Sequence, residues 1–163
     1  MIPEINKILY ATDLSENARY AFGYAADLAA KYKATLTILY VMENLNHTSE
    51  VQVGEIVGPE TWEKLKRKKQ EYLIERIQAR VETFCTEMAT RHDACQLLGQ
   101  TIRIERGNPQ EVILETSRQM GADLIVMGTH GYNILKDALI GGTARKVVRN
   151  SEVPVMVIRL PKK

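Results

Sequence analysis

The chain has 163 residues, 45% of them hydrophobic and 26% charged, with a formal net charge of +2, enough to bury a core in one domain spanning 1–163 without disulfide or metal staples. So balanced a charge gives no general argument for a nucleic-acid or membrane partner, and no stretch approaches the roughly 18–20 apolar residues that a membrane-crossing helix needs. The opening Met1-Ile2-Pro3-Glu4-Ile5 lacks a basic segment followed by an apolar run, so a cytoplasmic location is expected.

Ile8-Leu9-Tyr10-Ala11 is a short apolar run ending in Thr12-Asp13-Leu14-Ser15. Ala18, Ala21, Phe22, Ala25, Ala26 and Ala29 follow at helical spacing, so the segment is expected to be strand, turn and helix. Ser15 is placed to cap that helix, with Glu16 in its first turn facing the positive end of the dipole. Further strands are expected at Thr35–Val41, Thr101–Glu105, Asp123–Met127 and Val155–Ile158. Trp62, Leu65, Tyr72, Leu73, Ile77, Val81, Phe84 and Met88 keep a helical spacing behind Pro59-Glu60-Thr61 and predict a long amphipathic helix. Val112, Ile113, Thr116 and Met120 predict a shorter one started by Asn108-Pro109. Strands alternating with helices imply an α/β fold with a parallel sheet covered on both faces. Right-handed crossovers make an open, doubly wound five-stranded sheet of order 3-2-1-4-5 the expected architecture.

The polar connection about 43–60 is expected to be a mobile surface loop. Cys85 and Cys95 are expected to be free thiols in a reducing compartment, and His47, His92 and His130 form no spaced ligand set with them, so no metal site is expected. The basic run Lys64–Lys69 shares its helix with Glu63, Glu71 and Glu75 and is expected to be a solvated face with ion pairs three or four residues apart.

The segment that carries chemistry runs from Met127 to Thr143. It begins where the fourth strand ends, and Gly141-Gly142 directly precedes the helical pattern Ala144–Arg149. Glycines there let a backbone approach a ligand closely, and the free N–H groups of a helix start attract phosphate. No Gly-Lys-Ser/Thr closes a P-loop and no Gly-x-Gly-x-x-Gly is present. From the residues alone, two accounts stand: glycines that only permit tight turns, and a phosphate site. The predicted sheet order favours the second, because Asp13 and Gly128 both fall at the carboxyl ends of neighbouring strands whose crossover helices lie on opposite faces. Asp13 could instead serve only its own turn.

The pattern Gly128-x2-Gly131-x9-Gly141 resembles that of the universal stress proteins. So do Ile8–Ser15, Leu39-Tyr40-Val41, Gly107-Asn108-Pro109, Asp123–Gly128 and the ending Val153–Ile158, in an order and spacing that span nearly the whole chain. The resemblance implies a fold like that of the adenine nucleotide α-hydrolases and the family branch that holds ATP. By it, Asp13 and Val41 would contact the adenosine end, Ala11 and Thr12 would line the same pocket, and Met127, Gly128, Gly131 and Gly141 would surround the ribose and phosphates. Gly142 stands where the family carries Ser or Thr, and Thr143 follows one residue later, so that hydroxyl is lost or displaced. His130 lies inside the loop with no nucleophile or base to pair with; it is counted, with Gly142 and Thr143, among the nucleotide-binding positions, and no catalytic residue is expected. The expected function is a stress-response module whose conformation or partner choice is set by ATP, or by ADP or AMP, with magnesium accompanying the nucleotide. Its partners would be a second copy, through the strand at 154–159, and a protein the sequence does not name. The alternatives are a slow nucleotide hydrolase and a nucleotide-free interaction protein of the same fold.

Overall fold

Residues 3–43, 47–88, 101–129 and 140–159 are described by a computed structural model. In chain order it forms β1 (Lys7–Thr12), α1 (Glu16–Tyr32), β2 (Thr35–Met42), α2 (His47–Val57), α3 (Pro59–Met88), β3 (Thr101–Arg106), α4 (Pro109–Met120), β4 (Leu124–Gly128), α5 (Gly142–Asn150) and β5 (Val155–Ile158). All neighbouring strands pair in parallel, in the order β3-β2-β1-β4-β5. This is the expected sheet, and strand bounds differ from the expected ones by a residue or two. Asp123, expected to start the fourth strand, instead precedes it: its Oδ2 accepts from the N–H groups of Asn6 and Lys7 at 2.8 and 2.9 Å and ties the start of β1 to β4.

The strand period of two sorts side chains into two cores. Ile8, Tyr10, Leu36, Ile38, Leu124 and Val126 pack with Phe22 and Ala25 of α1 and with Leu73 and Ile77 of α3 on one face. Leu9, Ala11, Leu39, Ile125 and Met127 pack with Ile113 of α4 and with Ala144 and Val147 of α5 on the other. The alanine stripe of α1 explains how closely that helix sits on the sheet: Ala21, Ala25 and Ala29 are all fully buried.

Helix ends follow their chemistry. Ser15 caps α1 by accepting from Ala18 N–H, and Asn108 caps α4 by accepting from Gln110 N–H, with Pro109 in the first turn. Gly121 closes α4 in the left-handed conformation, φ 62°, which glycine adopts without strain. Gly107 joins β3 to α4 at φ 141°, and a Cβ there would meet Val112 Cγ2 at 3.0 Å.

One expectation needs correction. The connection read as a loop about 43–60 is helical over His47–Val57. With Gly54 and several β-branched residues at its centre and end, the segment has weak helix propensity of its own, and α2 lies along α3, where Gly54 comes close enough that a Cβ would touch Trp62. On the basic run, Lys66 does pair with Glu63 at 2.9 Å and its ammonium lies 5.3 Å from the Trp62 ring centroid; Glu63 is held below the usual carboxylate range by that hydrogen bond.

Candidate functional site

The turn after β1 is built from its own polar side chains. Leu14 N–H donates to Thr12 Oγ1 at 3.1 Å, while the N–H and hydroxyl of Ser15 both donate to Asp13 Oδ1, at 3.0 and 2.6 Å. Ser15 Oγ in turn accepts from Ala18 N–H at 3.2 Å. These bonds hold Leu14 at φ 63°, a left-handed conformation that a branched apolar residue adopts only when its surroundings enforce it. They also use up one oxygen of Asp13. The other, Oδ2, is buried, and among the described residues it is the one buried side-chain polar atom without a hydrogen-bond partner. Leaving an acceptor dry and unpaired costs about 1–3 kcal/mol, so it marks a place where a donor belongs.

Across the sheet from Asp13, β4 ends at Gly128. Thr129 N–H donates to Ile158 O at 2.9 Å and Gly141 N–H donates to Thr129 O at 2.7 Å, which fixes the start of α5 beside that strand end. Gly141 is the N-cap of α5, gives it no side-chain hydrogen bond, and no acid stands in the first turn. The leading N–H groups of α5 therefore keep their capacity for an outside acceptor at the positive end of the helix dipole.

These parts enclose a cavity of about 500 Å³ at the carboxyl ends of β1, β2 and β4, the size of a small-molecule site. Of the residues expected to bind nucleotide, Ala11, Thr12, Asp13, Val41, Met127, Gly128, Gly141, Gly142 and Thr143 line it together. His130 and Gly131 lie outside the described residues. The cavity adds residues not expected to bind: Ala18 from α1, Leu39, Tyr40 and Glu43 from β2 and its exit, Pro109 and Ile113 from α4, Thr129 and Ala144. Leu39 shares its strand face with the expected Val41, so the alternation of β2 was the available signal. Ile113 carried none, because which helix face meets the strand ends is decided by the crossover.

The site is polarised by the strand order. Glu43 leaves β2, Asp13 leaves the central β1, and the uncapped start of α5 lies beyond β4. One side thus offers carboxylate acceptors, the middle is walled by Val41, Ile113 and Met127, and the far side offers backbone donors. That arrangement suits a molecule with hydroxyl or amine donors at one end and an anionic group at the other.

The universal stress protein family model matches residues 4–159. A universal stress protein of Staphylococcus haemolyticus is 30% identical over 153 residues, which cover 93% of this chain and 83% of that protein. The solved universal stress protein UspA from Lactobacillus plantarum superposes with a TM-score of 0.71 at 28% identity, covering 97% of this chain and all of that one. A universal stress protein solved in complex with cAMP shares the fold with a TM-score of 0.58 at 20% identity, covering 96% of this chain and 98% of that one.

Proposed function

Because this chain belongs to the universal stress protein family, we propose that the cavity at the ends of β1 and β4 binds an adenine nucleotide, with ATP the preferred ligand, and that the bound nucleotide sets the partner preference of a dimeric stress-response module. The observation that carries this reading is the buried, unpaired Oδ2 of Asp13, a residue that lines the same cavity as the uncapped α5 start. Asp13 would accept from a ribose hydroxyl or the base, Val41, Ile113 and Met127 would flank the adenosine, and the N–H groups at Gly142 and Thr143 would receive phosphate. The family relative solved with cAMP speaks for the fold at its low identity; the choice of ligand here rests on the cavity itself. Magnesium would arrive with the triphosphate, and the hydroxyl-bearing residues on the α5 side are Thr129 and Thr143.

We assign the site to holding nucleotide rather than consuming it quickly. Its described lining contains two carboxylates, Asp13 and Glu43, but no histidine, cysteine, lysine or arginine, a set better suited to holding a ligand than to rapid turnover. Titration calorimetry with ATP, AMP and adenosine, together with mass spectrometry of the natively purified protein, tests the proposal. ATP should co-purify or bind at least about tenfold more tightly than adenosine, a difference of roughly 1.4 kcal/mol for the phosphate end. A protein that purifies without nucleotide and takes up none of the three would instead be the interaction protein with an empty pocket. Release of phosphate at many turnovers per second would make it a hydrolase.

A further inference from the structure

The opposite face of the same sheet carries a second cavity. It measures about 310 Å³ and lies between α1, α3 and the carboxyl ends of β1 and β2, lined by residues that include Tyr10, Phe22, Ile38 and Ile77 together with Arg19, Arg76 and Arg80. Its placement follows from the helix periods. Leu73 and Ile77 seat α3 on the sheet and are buried, so Arg76 and Arg80, one turn apart, come to the same flank at the cavity mouth. On α1, Arg19 precedes Phe22 by three residues and reaches the mouth from the other side.

The floor is apolar and aromatic. Tyr10 and Phe22 stack at 5.5 Å between centroids with their planes tilted by 51°, and the Tyr10 hydroxyl is already committed as a donor to Ala18 O at 2.5 Å. Burial pushes the Tyr10 phenol far above its usual range, with the Thr12 hydrogen bond acting against it, so the ring stays neutral. Among the described residues no carboxylate lines this cavity, and its formal charges are the three guanidinium groups. The Arg76 guanidinium lies 5.7 Å from the Tyr72 ring centroid, within cation–π range, and a guanidinium carries a planar fork of donors.

From this juxtaposition we propose that the second cavity is a binding site for a small amphipathic carboxylate, whose apolar body enters between Phe22, Ile38 and Ile77 and whose carboxylate is held at the mouth by Arg76 and Arg80. An apolar pocket alone would accept any hydrophobe; the arginines select one with an anionic head, because a guanidinium fork matches a carboxylate in shape and charge. The volume stands at the lower end of the about 300–1,000 Å³ range of small-molecule sites, which favours a short chain or a single ring system over a full lipid. The proposal does not depend on the nucleotide reading, since the two cavities lie on opposite sheet faces and Thr12 is the one residue their described linings share.

The test uses decanoate and decan-1-ol, which share the apolar body and differ in the head, titrated below the micellar concentration into the full chain by calorimetry. Decanoate should bind one to one and at least about tenfold more tightly than decan-1-ol. In the Arg76→Gln/Arg80→Gln double variant, decanoate should weaken by about tenfold or more, the loss of one or two charge-assisted hydrogen bonds, while decan-1-ol changes less than about twofold. Saturating ATP should leave decanoate affinity within about twofold. Absence of saturable decanoate binding, equal affinity for the alcohol, indifference to the double substitution, or one-for-one displacement by ATP would each overturn the proposal. The acid-to-alcohol comparison in the unaltered chain decides the matter even if the double variant does not fold, and a chain that binds decanoate but no ATP would sink the nucleotide reading alone.

Discussion

The two oxygens of Asp13 differ in their partners. Oδ1 holds the turn through Ser15, and Oδ2 is buried without a partner on a residue that lines the cavity. Asp13→Asn separates the two roles, because an amide oxygen can still accept from Ser15 while an NH2 group, a donor, replaces the free acceptor. We expect the folded variant to lose about five- to 150-fold in affinity for both ATP and adenosine, the effect of about 1–3 kcal/mol, with a melting temperature close to that of the parent; equal calorimetric affinities would remove Asp13 from the site. Gly142 allows the opposite test. A Cβ there meets nothing within 4 Å, so Gly142→Ser should fit and return a hydroxyl to the uncapped start of α5. ATP should bind about tenfold more tightly, for one charge-assisted hydrogen bond of roughly 1.5 kcal/mol, and adenosine should be unaffected; an ATP affinity that does not change shows that phosphate does not reach α5. The placement of Asp13 at the cavity was legible in the sequence through its position after an apolar strand. The left-handed Leu14 was not, because nothing in a leucine side chain signals that turn and only the bonds of Thr12 and Asp13 enforce it.

At the scale of elements, two glycines show what local sequence can and cannot reveal. Gly107, in Gly107-Asn108-Pro109, was legible as a junction because Asn and Pro are helix-starting residues, and the structure requires it at φ 141° with Val112 at 3.0 Å. Gly107→Ala should destabilise the fold by about 1–3 kcal/mol. The connection about 43–60 misled, since its Asn, His, Ser and Gly content reads as loop, while contact with α3 accompanies a helix that includes Gly54. Its would-be Cβ lies 3.8 Å from Trp62 Cδ1, an ordinary contact, so Gly54→Ala should stabilise by about 0.5–1 kcal/mol through helix propensity. The pair is measured together by thermal unfolding, where 1 kcal/mol corresponds to roughly 2–4 °C at this size. A lower melting temperature for Gly54→Ala would show that α2 does not pack on α3 as described. Regular elements were readable because their apolar periods are local properties; α2 was not, because its stability resides in its neighbour.

For the whole molecule, the sheet order was legible because alternating strands and helices with right-handed crossovers leave few arrangements, and that order puts β5 at one edge. The size and polarity of the cavity were not, since they depend on how α4 and α5 lean over the strand ends. The exposed edge leads to assembly, which we propose occurs through pairing of β5 with a second copy. Ile125 N–H donates to Pro154 O and Thr129 N–H donates to Ile158 O. Since successive residues of a strand direct their backbone groups to alternate sides, Pro154, Met156 and Ile158 face β4, and Val155 and Val157 turn theirs to the open edge. An apolar strand with such groups unpaired invites a partner chain. Val157→Pro removes an outward donor without touching the ladder to β4, and proline is tolerated at a sheet edge. Light scattering at micromolar concentration should therefore give twice the 18.5 kDa chain mass for the unaltered protein and a value near the single chain for Val157→Pro, with ATP affinity preserved because β5 is not part of the described lining of the cavity proposed to hold ATP. A parent protein that scatters as a monomer would remove the β5 dimer, and a variant that stays dimeric would move the interface to another surface.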